Sequence, residues 1–170
     1  MRLLKPLLAL LFPLALLSGT PALVGCDSGE ETCANAETEI DLADITPDGT
    51  TLGDTSEPGD CITVNYVGRL ADGSGTFDEG TLNILLTPQA SSRYRTAAGL
   101  IRGFVLGLED MQVRESRRVT IPPLLGYNLS EIEDRNPDDD RVGIPSCSTL
   151  EFDITLTAIN RDIRTCEIGF

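Results

Sequence analysis

The chain has 170 residues, carries a net charge of −14, and contains no histidine. A chain of this length holds one domain plus extensions, and its 41% hydrophobic content is enough for one core. The missing imidazole excludes Ser-His and Cys-His nucleophilic pairs and His-ligated zinc, and the acidic balance repels phosphate backbones, so nucleic acid is excluded as a partner.

Residues 1–25 read as an export signal. Arg2 and Lys5 give a basic start, Leu7–Leu17 is apolar around Pro13, and Ser18-Gly19-Thr20 loosens the end. Leu23-Val24-Gly25-Cys26 resembles the bacterial lipobox, in which the cysteine is acylated and becomes the new N-terminus. The competing reading is an uncleaved membrane anchor. Either one tethers the domain to a membrane, and the first places it in the cell envelope, lipid-anchored through Cys26 and facing the periplasm or exterior. Removing residues 1–25 leaves 11 basic and 27 acidic residues, a net −16, and takes away Lys5, the only lysine. Schiff-base and lysine-nucleophile chemistry are thereby excluded.

Residues 26–37 are polar, acidic and aperiodic, which predicts a flexible tether. The folded domain is expected over residues 38–160, followed by a C-terminal tail, 161–170. Glu39–Ile45 is the first predicted strand, with Ile40, Leu42 and Ile45 as its apolar positions. Glu57-Pro58-Gly59-Asp60 is a turn signal. Ile62–Leu70 alternates Ile62, Val64, Tyr66 and Gly68 against Thr63, Asn65 and Val67, as a half-buried strand does. Thr81–Leu86 is a short strand and Thr87–Gly99 a loop with an Arg93-Tyr94-Arg95 tip. Ile101–Met111 spaces Ile101, Phe104, Val105, Leu108 and Met111 as a helix, and Gly103 and Gly107 would let it approach a sheet closely. Glu115–Ile121 is strand-like and stops at Pro122-Pro123. Asn128–Gly143 is a long acidic loop, and Thr149–Ile159 is a last long strand pointing Leu150, Phe152, Ile154 and Leu156 inward. Five or six strands around one short helix predict an α+β fold with an antiparallel sheet.

With Cys26 acylated, Cys33, Cys61, Cys147 and Cys166 remain, an even number that permits two disulfides in three connectivities. Cys61 starts one strand and Cys166 follows the last, so Cys61–Cys166 with Cys33–Cys147 is the expected pairing. The spacings carry no zinc pattern. Asp138-Asp139-Asp140 with Asp134 lacks a calcium-loop pattern and reads as a solvated loop. No metal or cofactor is expected.

Several of these segments carry a resemblance. Val64-Asn65-Tyr66-Val67-Gly68, Thr76-Phe77-Asp78, Ile101-Arg102-Gly103-Phe104 through Gly107-Leu108 to Met111, Val119-Thr120-Ile121-Pro122-Pro123 with Gly126-Tyr127, and Ile144-Pro145 with Ser148–Asp153 resemble the FKBP family of macrolide-binding peptidyl-prolyl cis–trans isomerases. The resemblance runs in order over about residues 38–160. It implies an antiparallel five- to six-stranded sheet wrapped around one short helix, and a pocket. Tyr66, Phe77 and Phe152 would form its aromatic walls, with Leu82 beside them and Phe104 as the floor. Leu100 and Ile101 would sit where the helix begins, the Ile101 N–H facing the ligand. Tyr127 would offer its hydroxyl to a substrate carbonyl, Asp78 would stand at the rim, and Ile144 would close the far side. Arg93, Tyr94 and Arg95 are expected to edge the pocket. The sequence departs from the family at Phe104, where well-known members carry Trp, at Leu82, where an aromatic is frequent, and at Asn128, where Gly is usual.

The implied function is isomerisation of X-Pro bonds in proline-containing polypeptide clients among exported proteins, with macrolide inhibitors as ligands. The reaction needs no nucleophile, which suits a chain without histidine. The other reading is a catalytically weak chaperone or peptide-binding module that uses the same pocket.

Overall fold

The computed structural model describes residues 33, 37–87, 95–96, 99–134, 139–162 and 166. Six antiparallel strands, β1 (Asp41–Asp44), β2 (Cys61–Leu70), β3 (Thr76–Thr87), β4 (Arg95–Thr96), β5 (Ser116–Ile121) and β6 (Leu150–Asn160), form one sheet in the order β1-β5-β6-β2-β3-β4. One α-helix, α1 (Arg102–Gly107), is present among the described residues. It lies against β5, and this α+β architecture is the expected one. None of the described helices is long and apolar enough to cross a membrane.

The sheet buries one face. On β2, Ile62 and Val64 are fully buried, and on β6 Leu150, Phe152, Ile154 and Leu156 are 0–5% exposed. This is the two-residue alternation of a strand with one face on a core. Each such aliphatic side chain stabilises the fold by roughly 1.5–3 kcal/mol. The helix completes the core with Phe104, Val105 and, just past its end, Leu108.

Two glycines set how closely the helix packs. A Cβ on Gly103 would lie 2.3 Å from Ile121 Cγ2, and one on Gly107 would lie 2.7 Å from Val119 Cγ2. Their cost to an isolated helix, about 1 kcal/mol each against Ala, is offset by this approach.

The structure moves several predicted boundaries. The helix expected over Ile101–Met111 ends at Gly107. Asp110 adopts φ +54°, and the guanidinium of Arg117 donates to the carbonyls of Gly107 (3.1 Å) and Glu109 (2.9 Å). A side chain from β5 thus satisfies carbonyls that a further helical turn would have used. Met111 is buried all the same. The first strand shrinks from Glu39–Ile45 to Asp41–Asp44, and Leu42 and Ile45 stay 48% and 38% exposed. Among the described residues β1 is an edge strand, paired with β5 alone. The strand expected at Thr81–Leu86 runs from Thr76 to Thr87, and the expected loop Thr87–Gly99 contains β4, where Arg95 falls. Arg93 and Tyr94 lie outside the described residues.

The disulfides are Cys33–Cys147 and Cys61–Cys166. Each closes more than 100 residues of chain. They also fasten both predicted extensions to the domain. The tether read over residues 26–37 is held at Cys33, which is buried, and the tail 161–170 is held at Cys166.

Candidate proline-binding site

The pocket opens where α1, β2, β3, β6 and the loop after β5 converge. A bulge makes this possible. Across the β2–β3 pair, Gly68 faces Asp78 but Arg69 faces Thr76, so Phe77 has no partner. Successive residues of a flat strand point to opposite faces. The extra residue breaks that alternation and lets both Phe77 and Asp78 line one cavity. Gly68 is needed opposite them, because a Cβ there would lie 2.7 Å from Phe152 and 2.8 Å from Phe77.

Four rings form the inner wall. Phe104 meets Phe152 edge-on at 5.0 Å between centroids and Tyr66 edge-on at 5.7 Å. Phe77 meets Phe152 edge-on at 5.4 Å. Such arrangements place the positive ring edge on the negative face and contribute about 0.5–1.5 kcal/mol per pair beyond burial. Phe104 is 2% exposed and forms the floor, projected from the helix by its contact with the sheet.

The outer wall comes from loops. Pro122-Pro123 starts a short 3-10 turn, Pro123–Leu125, that delivers Tyr127 to the pocket. Asn128 takes φ +55°, a left-handed conformation that Asn tolerates, and its N–H donates to Pro123 O at 2.8 Å. Asn128 thus takes a conformation open to glycine at the position where the sequence resemblance leads one to expect Gly. Ile132 and Ile144 exchange two backbone hydrogen bonds of 2.8 and 2.7 Å that close the base of the acidic loop. Cys147 N–H donates to Asn128 O at 2.7 Å, and Cys33 Sγ lies 3.4 Å from Asn128 Oδ1. A disulfide sulfur has no proton to donate, so this last approach is packing.

The cavity has a volume of about 270 Å³, and the ten residues expected as its walls, floor, entry and rim line it: Tyr66, Phe77, Asp78, Leu82, Leu100, Ile101, Phe104, Tyr127, Ile144 and Phe152. Gly99 and Ile132 line it too, and sequence reasoning misses both. Ile132 has a signal, as the one apolar residue between Glu131 and Glu133 in an acidic loop. Gly99 has none beyond standing before Leu100.

The polar groups divide their work. Tyr66 donates its hydroxyl to Asp78 Oδ2 at 2.7 Å. Burial first, then that hydrogen bond, raises the Tyr66 pKa well above the ordinary tyrosine value. Burial and the nearby Asp78 charge also raise that of Tyr127. Both phenols are therefore protonated donors at neutral pH. Tyr66 is committed to Asp78, while the Tyr127 hydroxyl has no hydrogen-bond partner among the described residues. Ile101 is the N-cap of α1 in an extended conformation, without a side-chain cap.

An apolar cavity with a buried aromatic floor and a few convergent donors is built to hold a small cyclic or apolar group. Its kinship agrees. Residues 53–157 match the family model described as FKBP-type peptidyl-prolyl cis-trans isomerase. The chain belongs to that family. It is 35% identical over 107 residues to FK506-binding protein 4 of Chaetomium thermophilum, covering 63% of this chain and 19% of that protein. It is 31% identical over 105 residues to peptidyl-prolyl cis-trans isomerase FKBP53 of Arabidopsis thaliana, covering 61% and 19%. The chain thus spans about a fifth of the length of these two relatives. The crystal structure of AtFKBP13 shares the fold, with a TM-score of 0.50 at 22% identity over 71% of this chain and 93% of that one. The two curated relatives are fungal and plant proteins, so they lend no support to the bacterial lipoprotein form read from residues 1–26, which lie outside the described residues.

Proposed function

We propose that this protein catalyses cis–trans isomerisation of X-Pro bonds in exported polypeptides, held at a membrane by acylated Cys26. The observation that carries the reading is the pairing of a four-ring apolar pocket with a phenol, Tyr127, left free to meet a carbonyl. Rotation about a peptide bond faces about 18–20 kcal/mol because resonance stiffens the C–N bond. Only X-Pro populates both isomers appreciably, and they interconvert over tens to hundreds of seconds. The planar imide is the charge-separated, more polar form. Proline seated on Phe104, among Tyr66, Phe77 and Phe152, leaves water behind, and the twisted imide loses less by that transfer. Tyr127 donates to a carbonyl of the chain and fixes one side of the rotating bond, while the Ile101 N–H holds the other. Asp78 keeps the Tyr66 hydroxyl turned away from the ring. No bond is made or broken, so no cofactor is required.

Lipid anchorage rests on Leu23-Val24-Gly25-Cys26 and the basic, apolar segment before it. An acylated, exported chain also meets the oxidising surroundings in which disulfides persist.

The test is the cis-to-trans rate of a short X-Pro peptide with the full chain in detergent, repeated with an FKBP-type macrolide. Acceleration abolished by the macrolide is expected. Macrolide binding by a folded sample without acceleration would favour a binding module. For the anchor, radiolabelled palmitate is expected on the wild type and lost in Cys26→Ser, which should move to the soluble fraction.

A further inference from the structure

The Asp78 carboxylate divides its two oxygens. Oδ2 accepts the Tyr66 hydroxyl at 2.7 Å, and Oδ1 accepts the Glu79 N–H at 2.9 Å. Oδ1 also lies 3.6 Å from Nη1 of Arg141, the one cation within ion-pair distance of Asp78 among the described residues. Asp78 lines the cavity and Arg141 does not, so the guanidinium touches the site through the carboxylate.

Arg141 is delivered to Asp78 by the chain around it. It ends the acidic run Asp138-Asp139-Asp140. Its N–H donates to Asp139 Oδ1 at 2.9 Å, and its Nε lies 3.9 Å from Asp139 Oδ2. The next residue, Val142, donates its N–H to Thr76 O at 3.0 Å. Val142 also covers Gly75, where a Cβ would lie 2.7 Å from Val142 Cγ1. Thr76 immediately precedes the bulged Phe77 and then Asp78. The arm that carries Arg141 is thus fastened to the same stretch of β3 that aims Asp78.

We infer that Arg141 is a positioning residue for the isomerisation: it holds the Asp78 carboxylate on Tyr66 and away from Tyr127, which keeps the Tyr127 hydroxyl free for a client carbonyl. The inference rests on the isomerase reading above. Asp78 and Tyr127 line one cavity, and the Asp78 charge acts on Tyr127 across it. A carboxylate has lone pairs enough for a second phenol. A hydrogen bond from a hydroxyl to an ionised acceptor is roughly twice as strong as one to a neutral carbonyl. An unrestrained Asp78 would therefore outcompete the client for Tyr127. Arg141 draws Oδ1 toward the acidic loop and leaves Oδ2 to Tyr66. At 3.6 Å the contact is an ion pair and not a hydrogen bond, so it works through charge, and it engages a single nitrogen. A lysine can supply that charge.

The experiment measures isomerisation of a short X-Pro peptide by the full chain in detergent. At low ionic strength Arg141→Gln is expected to lower the rate roughly two- to fivefold, the range open to an exposed ion pair. Arg141→Lys should keep at least half of the wild-type rate, and the unfolding midpoint should be unchanged in both. In about 0.5 M salt the gap between wild type and Arg141→Gln should narrow, since screening shortens to a few ångströms. Two double-mutant cycles separate positioning from a general effect on the loop. Arg141→Gln should lower the rate no further in Asp78→Asn, which lacks the charge, or in Tyr127→Phe, which lacks the hydroxyl to be spared. An unchanged rate in Arg141→Gln, a loss that Lys does not restore, or an equal loss in either background overturns the inference while the wild type still reports an active pocket. If the wild type itself accelerates nothing, the isomerase reading fails and this inference with it.

Discussion

The two walls of the pocket are built on different principles. Tyr66, Phe77, Phe104 and Phe152 stand on strands and a helix, where register, one bulge and three glycines fix each ring. Tyr127, Ile132 and Ile144 stand on loops, which are held by a β-bridge, a left-handed Asn and a disulfide. The first wall is a by-product of the core and cannot shift without disturbing it. The second is fastened at a few points, so it can vary in length and charge while the ring cluster stays put.

The largest effect should come from unfastening the variable side. Cys33→Ser with Cys147→Ser opens a loop of more than 100 residues, for which chain entropy alone gives about 4.7 kcal/mol. Cys61–Cys166 already closes an overlapping loop, so a loss of roughly 2–4 kcal/mol is expected by urea denaturation. Hydrogen exchange sharpens the contrast: amides of the loop after Tyr127 should lose protection well before those of β2 and β6. Equal loss in both regions would erase the distinction between the walls.

Disturbing the rigid side has the next largest effect. In Gly103→Ala the new methyl, 2.3 Å from Ile121 Cγ2, must lift the helix off β5. Overpacking of this kind costs about 1–3 kcal/mol and outweighs the gain in helix propensity of about 1 kcal/mol. Because Phe104 is the next residue, macrolide affinity should fall together with stability. Full affinity in a destabilised variant would mean that the floor does not depend on the helix–sheet distance.

Tyr127→Phe separates function from stability. It removes one hydroxyl from a half-buried loop residue and leaves the ring in place. The isomerisation rate should drop about five- to tenfold, close to the free energy of one hydrogen bond of about 1 kcal/mol, with an unchanged unfolding midpoint. An unchanged rate would assign the carbonyl contact to another donor.

The two walls also differ in how legible they are in the sequence. Alternation over Ile62–Leu70 and Thr149–Ile159 is enough to place Tyr66 and Phe152 on the buried face, because side chains on a strand have a fixed period. Phe104 follows from helical spacing. Phe77 and Asp78 are legible only through family resemblance, since alternation alone sends them to opposite faces, and the bulge that reconciles them is a property of the β2–β3 register. Ile132 escapes notice because one apolar residue in an acidic loop has no period to declare it. Leu42 misleads in the opposite direction: its pattern is a strand's, but an edge position leaves it open to solvent. Helical spacing overruns the true end of α1 because Arg117, ten residues beyond Gly107, terminates it through tertiary contact.

The smallest expected effect lies on the solvent side of the rigid wall, one residue from Phe152. Asp153 accepts two hydrogen bonds from Arg118, at 2.7 and 2.9 Å, and one from Arg69 at 2.7 Å. The hydrogen bonding to Arg118 outweighs the opposing effect of burial and, with Arg69, holds the carboxyl below the usual Asp range. A carboxylate depressed in the folded state stabilises above its unfolded pKa and loses that contribution as pH falls through the folded value. The arginine side chains are 41% and 37% exposed, so solvent screening keeps the contribution small. Asp153→Asn should therefore cost roughly 0.5–1 kcal/mol at about pH 7. Its deficit against the wild type should begin to shrink as pH drops below about 4, the ordinary Asp range. Isomerisation at neutral pH should be unchanged, because strand alternation points Asp153 away from the pocket that Phe152 lines. A fall in rate without a matching fall in stability would show that the outer face of β6 positions the ring beside it, and the rigid wall would then extend through the sheet to the solvent side.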